Sequence, residues 1–265
     1  NSSTLVPAKL VFLPFQDREK QDSFFPCNSN GLASGNSVEE ASVHAIFELI
    51  ERDIKSFQLF NDTSFFVPLE SFPEPAISIA KTIEKSGLSL YTRFVRNEYN
   101  LAYFSAIIVD FNVSNPIYIN AGYGCHLDPS VALVRAICEA VQSRLSFIHG
   151  GRDDLTKAVE RFMNWDEYKI KKYFNTISEE AGNREKTIYF EDIPFLNYKF
   201  TQIKELLDFL LDILWSNNMN KVCRVVLTPD AELIQVVRVM IPKMEHFSEN
   251  SHRLGNRLKN YVESL

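Results

Sequence analysis

The segment Ser37-Val-Glu-Glu-Ala-Ser-Val-His-Ala-Ile-Phe-Glu-Leu-Ile-Glu-Arg-Asp53 constrains this chain more than any other. Placed at about 100° per residue, Glu40, His44, Glu48 and Glu51 fall within one stripe about a quarter-turn wide. Ala41, Val43, Ala45, Ile46, Phe47, Leu49 and Ile50 fill the rest of the circumference. Such a helix is mostly buried, with its carboxylates aligned. Aligned carboxylates repel one another and lose hydration, so they persist where cations or hydrogen-bond donors neutralise them. Magnesium bound to phosphates is the natural candidate. Plainer readings stand beside this one. Ser37 and Glu40 have the spacing of a capping box, Glu48 and Glu51 could pair with Arg52 or Lys55 on a half-exposed helix, and His44 suits a hydrogen-bonding core histidine.

A second helix is predicted from Asp128-Pro129, an N-cap followed by a first-turn proline, to about Ile148. Arg135, Glu139 and Gln142 share a narrow stripe on it, which suggests a common ligand. Arg144 points away toward the side of Ile137 and reads as structural. Cys125-His126 would suggest a thiol–imidazole pair, but adjacent residues rarely face each other as nucleophilic catalysis needs. Arg152 reads equally as functional or as a pin for the loop after the helix.

With 265 residues and 45% hydrophobic content, the chain can bury one sizeable core or two tightly joined lobes. A net charge of −6 with no basic run argues against nucleic acid as a partner. The apolar run Leu206–Trp215 is interrupted by Asp208 and Asp212 and is too short for a membrane span. The four cysteines are scattered, without a CxxC pair or a secretory leader, so reduced thiols in the cytoplasm are the default expectation. The chain opens without methionine, and Leu5–Pro14 reads like the middle of a folded domain, which suggests a start inside a longer protein.

Along the chain, Lys9–Leu13 reads as a strand, Gln16–Ser23 as a charged loop, and Phe24–Asn36 as a polar segment feeding directly into the first helix. Helices are predicted at Pro75–Ser86, Trp165–Glu180 and Thr201–Ser216. Strands are predicted at Leu88–Arg96, Tyr103–Asp110, Lys221–Leu227 and Leu233–Met240. Tyr118–His126, with Gly122 and Gly124, leads to the second helix, and the tail ends in a short amphipathic stretch. Gly31, Gly35, Gly122 and Gly124 allow tight turns and close backbone approach, to phosphate or to another element. No regular βαβ repeat appears, so the expected class is α+β, a mixed α/β fold, and no linker marks a domain boundary.

Ser29-Asn-Gly-Leu-Ala-Ser-Gly-Asn36, followed by Glu40-Ala, His44-Ala and Glu48-Leu-Ile-Glu-Arg-Asp53, resembles the YcaO family. A second block, Gly122-Tyr-Gly-Cys-His126, then Ala132-Leu-Val-Arg-Ala, Glu139-Ala-Val-Gln-Ser-Arg144 and Gly150-Gly-Arg-Asp-Asp154, is similar to that family's downstream signature. The resemblance implies a YcaO-like fold and ATP- and Mg2+-dependent phosphorylation of a peptide-backbone amide oxygen. It implies that Glu48 and Glu51 hold metal, and that Asn36, Glu40, Arg52, Arg135, Glu139 and Gln142 bind nucleotide.

The family's earlier glycine–lysine–glycine segment and Ser-x-x-x-Glu-x-x-Glu-Arg helix do not occur upstream of Ser29. Residues 1–265 are therefore expected to form the C-terminal portion of the domain, poor in nucleotide binding by itself. The proline-rich tail of azoline-forming members is also absent, whereas His44 and the Gly-Cys-His and Gly-Arg-Asp-Asp segments look like thioamide-associated members. The implied partners are a peptide or protein substrate, as in the biosynthesis of modified ribosomal peptides, and an accessory protein, either a sulfur donor or TfuA-like. A homodimer is left open. The rival expectation is a truncated or degenerate, non-catalytic domain that binds a peptide or protein partner.

Overall fold

Helices and antiparallel strands alternate irregularly along the chain, giving the mixed α/β class expected from the sequence. The computed structural model describes residues 2–15, 28–113, 115–150, 160, 162–229, 232–248 and 254–265. Its residues fall into two compact units, Asn1–Phe60 with Tyr198–Leu265, and Asn61–Asn197.

The first unit carries α1 (Ala8–Val11), β1 (Leu32–Gly35), α2 (Val38–Gln58), α6 (Ile203–Ser216), β6 (Cys223–Val226), β7 (Gln235–Met240) and α7 (Asn256–Ser264). Its sheet has the order β1-β7-β6, all antiparallel, with Leu32 opposite Arg238 and Cys223 opposite Met240. Helix α2 lies against β1, β7 and α6. It begins at Ser37, whose extended backbone and Oγ, accepting from Glu40 N at 3.1 Å, stop the helix from running further back. Ala41, Ala45, Ile46, Leu49 and Ile50 are each at most 1% exposed, as the all-round apolar pattern required.

Two expectations fail here. Lys9–Leu13 is not a strand: Pro7 sets up a single helical turn, with Phe12 N donating to Ala8 O at 3.0 Å. Within Phe24–Asn36, the polar segment does not run straight into α2, because Leu32–Gly35 forms β1. That short Leu-Ala-Ser-Gly strand has little intrinsic β preference and exists through pairing with β7.

The second unit carries β2 (Phe65–Phe66), α3 (Ala76–Lys85), β3 (Ser89–Phe94), β4 (Ala102–Val109), β5 (Asn120–His126), α4 (Pro129–His149) and α5 (Glu167–Gly182). The sheet order is β2-β3-β4-β5, again antiparallel, with Phe94 opposite Phe104 and Phe104 opposite Gly124. Its core gathers Leu90, Phe94, Phe104 and Ile108 of the sheet with Ala80 of α3 and Leu133 and Ile137 of α4. Helix α4 starts as predicted, Asp128 Oδ1 accepting from Ser130 N at 2.8 Å with Pro129 in the first turn, and stops at Gly150, whose φ of 66° is left-handed.

Among the described residues no helix is long and apolar enough to cross a membrane. The Gln16–Ser23 loop, Cys27, Arg152 and the Gly-Arg-Asp-Asp segment beyond Gly150 lie outside the described residues.

Candidate nucleotide- and metal-binding residues

At the start of α2, Glu40 Oε2 accepts from both the backbone N and the side-chain Nδ2 of Asn36, each at 2.9 Å. These two donors hold the Glu40 carboxyl below its ordinary value, backbone first, with a smaller contribution from nearby His44. The capping box is thus shifted by one residue: Ser37 caps Glu40 N as expected, but Glu40 reaches back to Asn36 rather than to Ser37. His44 is not a core histidine. It is exposed, with Nδ1 3.3 Å from the Ser34 carbonyl oxygen, because β1 covers only the adjoining side of the helix.

One turn further on, Glu48 is half-buried, and its Oε2 accepts from Gly31 N at 2.9 Å. Glu51 is 5% exposed. Three residues apart, the two side chains are neighbours on the helix surface, with Cβ atoms about 5–6 Å apart. A carboxylate offers about four lone-pair sites, more than one backbone donor fills. Among the described residues no three His, Cys, Asp or Glu side chains could together hold a metal ion. An ion on Glu48 and Glu51 would complete its shell with phosphate or water oxygens, which is the habit of magnesium.

Arg52 supplies the observation that points to an anion. Its Nε is buried and has no hydrogen-bond partner among the described residues. A buried charged donor without an acceptor is costly, and a phosphate oxygen is the acceptor such a group fits. The side chains of this unit therefore fit a magnesium-bound phosphate.

In the second unit, Gly122 and Gly124 of β5 let α4 approach unusually closely. A Cβ on Gly122 would stand 2.2 Å from Ala140 N, and one on Gly124 would stand 2.1 Å from Ala132 O. The close-approach reading of these glycines thus refers to α4, against its Ala132, Ala136 and Ala140 stripe. That contact orients the neighbouring polar stripe: Arg135 and Gln142 are exposed and Glu139 half-buried, their side chains engaged by no described residue. Arg144 is structural, as expected, its Nη2 pairing with Asp110 Oδ2 at 2.8 Å. Cys125 is 1% exposed on β5, and successive strand residues such as Cys125 and His126 point to opposite faces.

Sequence reasoning missed the Asp53 cluster. Asp53, 1% exposed, accepts from Glu245 N at 2.6 Å and from Arg257 Nη1 at 2.7 Å. An acidic residue on the apolar side of α2 was the available signal, but its partners lie far along the chain.

An uncharacterized protein of Methanothermobacter thermautotrophicus is 33% identical over 97% of this chain and 66% of its own length. An uncharacterized protein from the tfuA 3′ region of Rhizobium leguminosarum bv. trifolii is 29% identical over 98% of this chain and 62% of its own length. The structure of YcaO from Methanopyrus kandleri bound with AMPPCP and Mg2+ superposes with a TM-score of 0.76 at 20% identity, over 94% of this chain and 63% of that one, a likeness of fold. The chain therefore spans about two thirds of the length of these relatives. Residues 1–245 match the family model described as YcaO cyclodehydratase, ATP- and Mg2+-binding, and the chain belongs to the YcaO family.

Proposed function

We propose that this chain is part of an ATP- and magnesium-dependent enzyme that activates a backbone amide of a peptide or protein. ATP supplies the phosphoryl group that turns the amide oxygen into a leaving group, and magnesium spreads the charge that builds on the transferring phosphates. The observation that carries the reading is the buried Nε of Arg52, without a partner among the described residues, on the same turns of α2 as Glu48 and Glu51.

In this reading Glu48 and Glu51 hold the metal, and Arg52 donates to a phosphate oxygen. Asn36 presents its amide at the N-terminal end of α2, where anions are favoured. Glu40 fixes Asn36 in that place through the two 2.9 Å bonds. In the second unit Arg135, Glu139 and Gln142 are the nucleotide-facing residues of α4. A nucleophile from the substrate side chain, or from a sulfur donor, then adds to the activated carbonyl carbon, and phosphate departs with the former amide oxygen.

The substrate is a peptide or protein, and the tfuA-region origin of one relative favours a TfuA-like accessory protein. Calorimetric titration with magnesium–ATP, on this chain and on a longer form of the protein, tests the proposal. Binding heat that requires both metal and nucleotide is expected from the longer form, and little from residues 1–265 alone. No heat with either form would sink the enzyme reading.

A further inference from the structure

We infer that α7 is a latch on the nucleotide-facing turn of α2, with Asp53, Ser56 and Arg257 as positioning residues for Glu51 and Arg52. The inference rests on the nucleotide reading of α2. The family match ends at residue 245, and α7 (Asn256–Ser264) begins beyond it.

Glu245, 3% exposed, caps α7 from a distance, its two oxygens accepting from Gly255 N at 2.8 Å and Leu258 N at 3.0 Å. The backbone of the same residue donates to Asp53, and Arg257 of α7 closes on that same Oδ1. The Arg257 guanidinium also lies 5.2 Å from the centroid of the Phe57 ring, which meets Tyr261 edge-on at 5.2 Å. Phe247 N donates to Ser56 Oγ at 2.9 Å, and Ser56 Oγ donates in turn to the Arg52 carbonyl oxygen at 2.8 Å. Phe247 is thereby tied to the backbone of Arg52 through one hydroxyl.

These anchors lie on the turns directly after Glu51 and Arg52, on the side of α2 facing away from the carboxylate stripe. Helix ends fray when their outer contacts are lost. Holding the end of α2 from behind keeps the buried Glu51 carboxylate and the buried Nε of half-buried Arg52 at one fixed height along the helix. Fixed placement of this kind matters for charge stabilisation, because small displacements weaken it steeply.

The test compares wild-type protein with Arg257→Met, Arg257→Lys and a chain ending at Gly255. Amide exchange is followed at residues 51–57 and, as an internal control, in β3 and β4. All four proteins are prepared in the longer form, and magnesium–ATP affinity is measured on the same samples. The latch predicts at least tenfold faster exchange at 51–57 in Arg257→Met and in the shortened chain, with β3 and β4 unchanged. Affinity should weaken at least fivefold in step, and Arg257→Lys should recover most of both. Unchanged exchange at 51–57, or faster exchange with full affinity, would overturn the latch. A uniform rise that includes β3 and β4 would overturn it too, as general destabilisation. Wild-type protein that binds no magnesium–ATP overturns the nucleotide reading, whereas wild-type binding left intact in Arg257→Met overturns the latch alone.

Discussion

The amide of Gly31 donates a 2.9 Å hydrogen bond to Oε2 of Glu48, 17 residues further along the chain. Glu48 is therefore both an acceptor for the turn before β1 and a member of the carboxylate stripe of α2. Gly31 can sit there because its φ of 75° is left-handed and because a Cβ would stand 2.2 Å from the Val239 carbonyl oxygen.

This double role separates two substitutions. In the longer form of the protein, Glu48→Gln keeps an acceptor for Gly31 and removes one charge, so the melting temperature should hold or rise while ATP-dependent phosphate release falls by orders of magnitude. Glu48→Ala also loses the acceptor and should cost about 1 kcal/mol of stability. Glu51→Gln should behave like Glu48→Gln. An active but destabilised Glu51→Gln would defeat the metal assignment, and thermal melting without metal alongside phosphate release decides it.

Gly122→Ala places a methyl group against the backbone of Ala136 and Ala140, atoms that cannot rotate aside. Moving α4 off β5 should cost about 3 kcal/mol, seen as a lowered urea midpoint. Gly150→Ala makes the contrasting control, since a Cβ there meets no described residue within 4 Å and its left-handed φ of 66° is what resists the change. Its loss should be about 1 kcal/mol.

On α4, two arginines should respond oppositely. Arg144→Met strips the cation from Asp110, itself 7% exposed, and should destabilise by about 2 kcal/mol, allowing for partial solvent access to the pair. Arg135→Met breaks no contact with a described residue, so its melting temperature should stay put while magnesium–ATP binding weakens. Equal melting losses in the two variants would remove the ligand-facing role of Arg135.

Acid titration gives a fourth check. Glu40 and Glu205 are both held below the ordinary value of 4.5, Glu40 by the Asn36 donors and Glu205 by the backbone of Thr201 and Gln202. A carboxyl lowered in the folded state takes up a proton less readily there than in the unfolded chain. The stability each contributes is therefore full above pH 4.5 and lost as pH falls through the lower folded value. Glu40→Gln with Glu205→Gln should flatten that limb of the stability–pH curve and leave its shape near neutrality unchanged. A limb as steep as in the wild type would refute the assignment.

Much of this was legible in residue order because it is local. Ser37 and Asp128 mark the helix starts through side chains that reach their own next turn. The 3.6-residue period placed Glu48 and Glu51 on one stripe of α2, and Arg135, Glu139 and Gln142 on one stripe of α4. It also separated Arg144 from its neighbours before its partner Asp110 was known. Ordered motifs such as Asn36, Glu40, Glu48, Glu51 and Arg52 identified the family, since helical spacing preserves the chemistry of one face.

What only the tertiary structure decided depends on residues far apart in sequence. Strand β1 exists because β7 lies beside it, for Leu-Ala-Ser-Gly has no strong preference of its own. Glycines 122 and 124 prove to be seats for the alanine stripe of α4, and Asp53 finds Glu245 and Arg257 roughly two hundred positions away. Periodicity records which face of an element a side chain occupies. The opposing element, the closeness of its approach and the partner of a buried charge come from packing, which brings distant residues together only once the chain has folded.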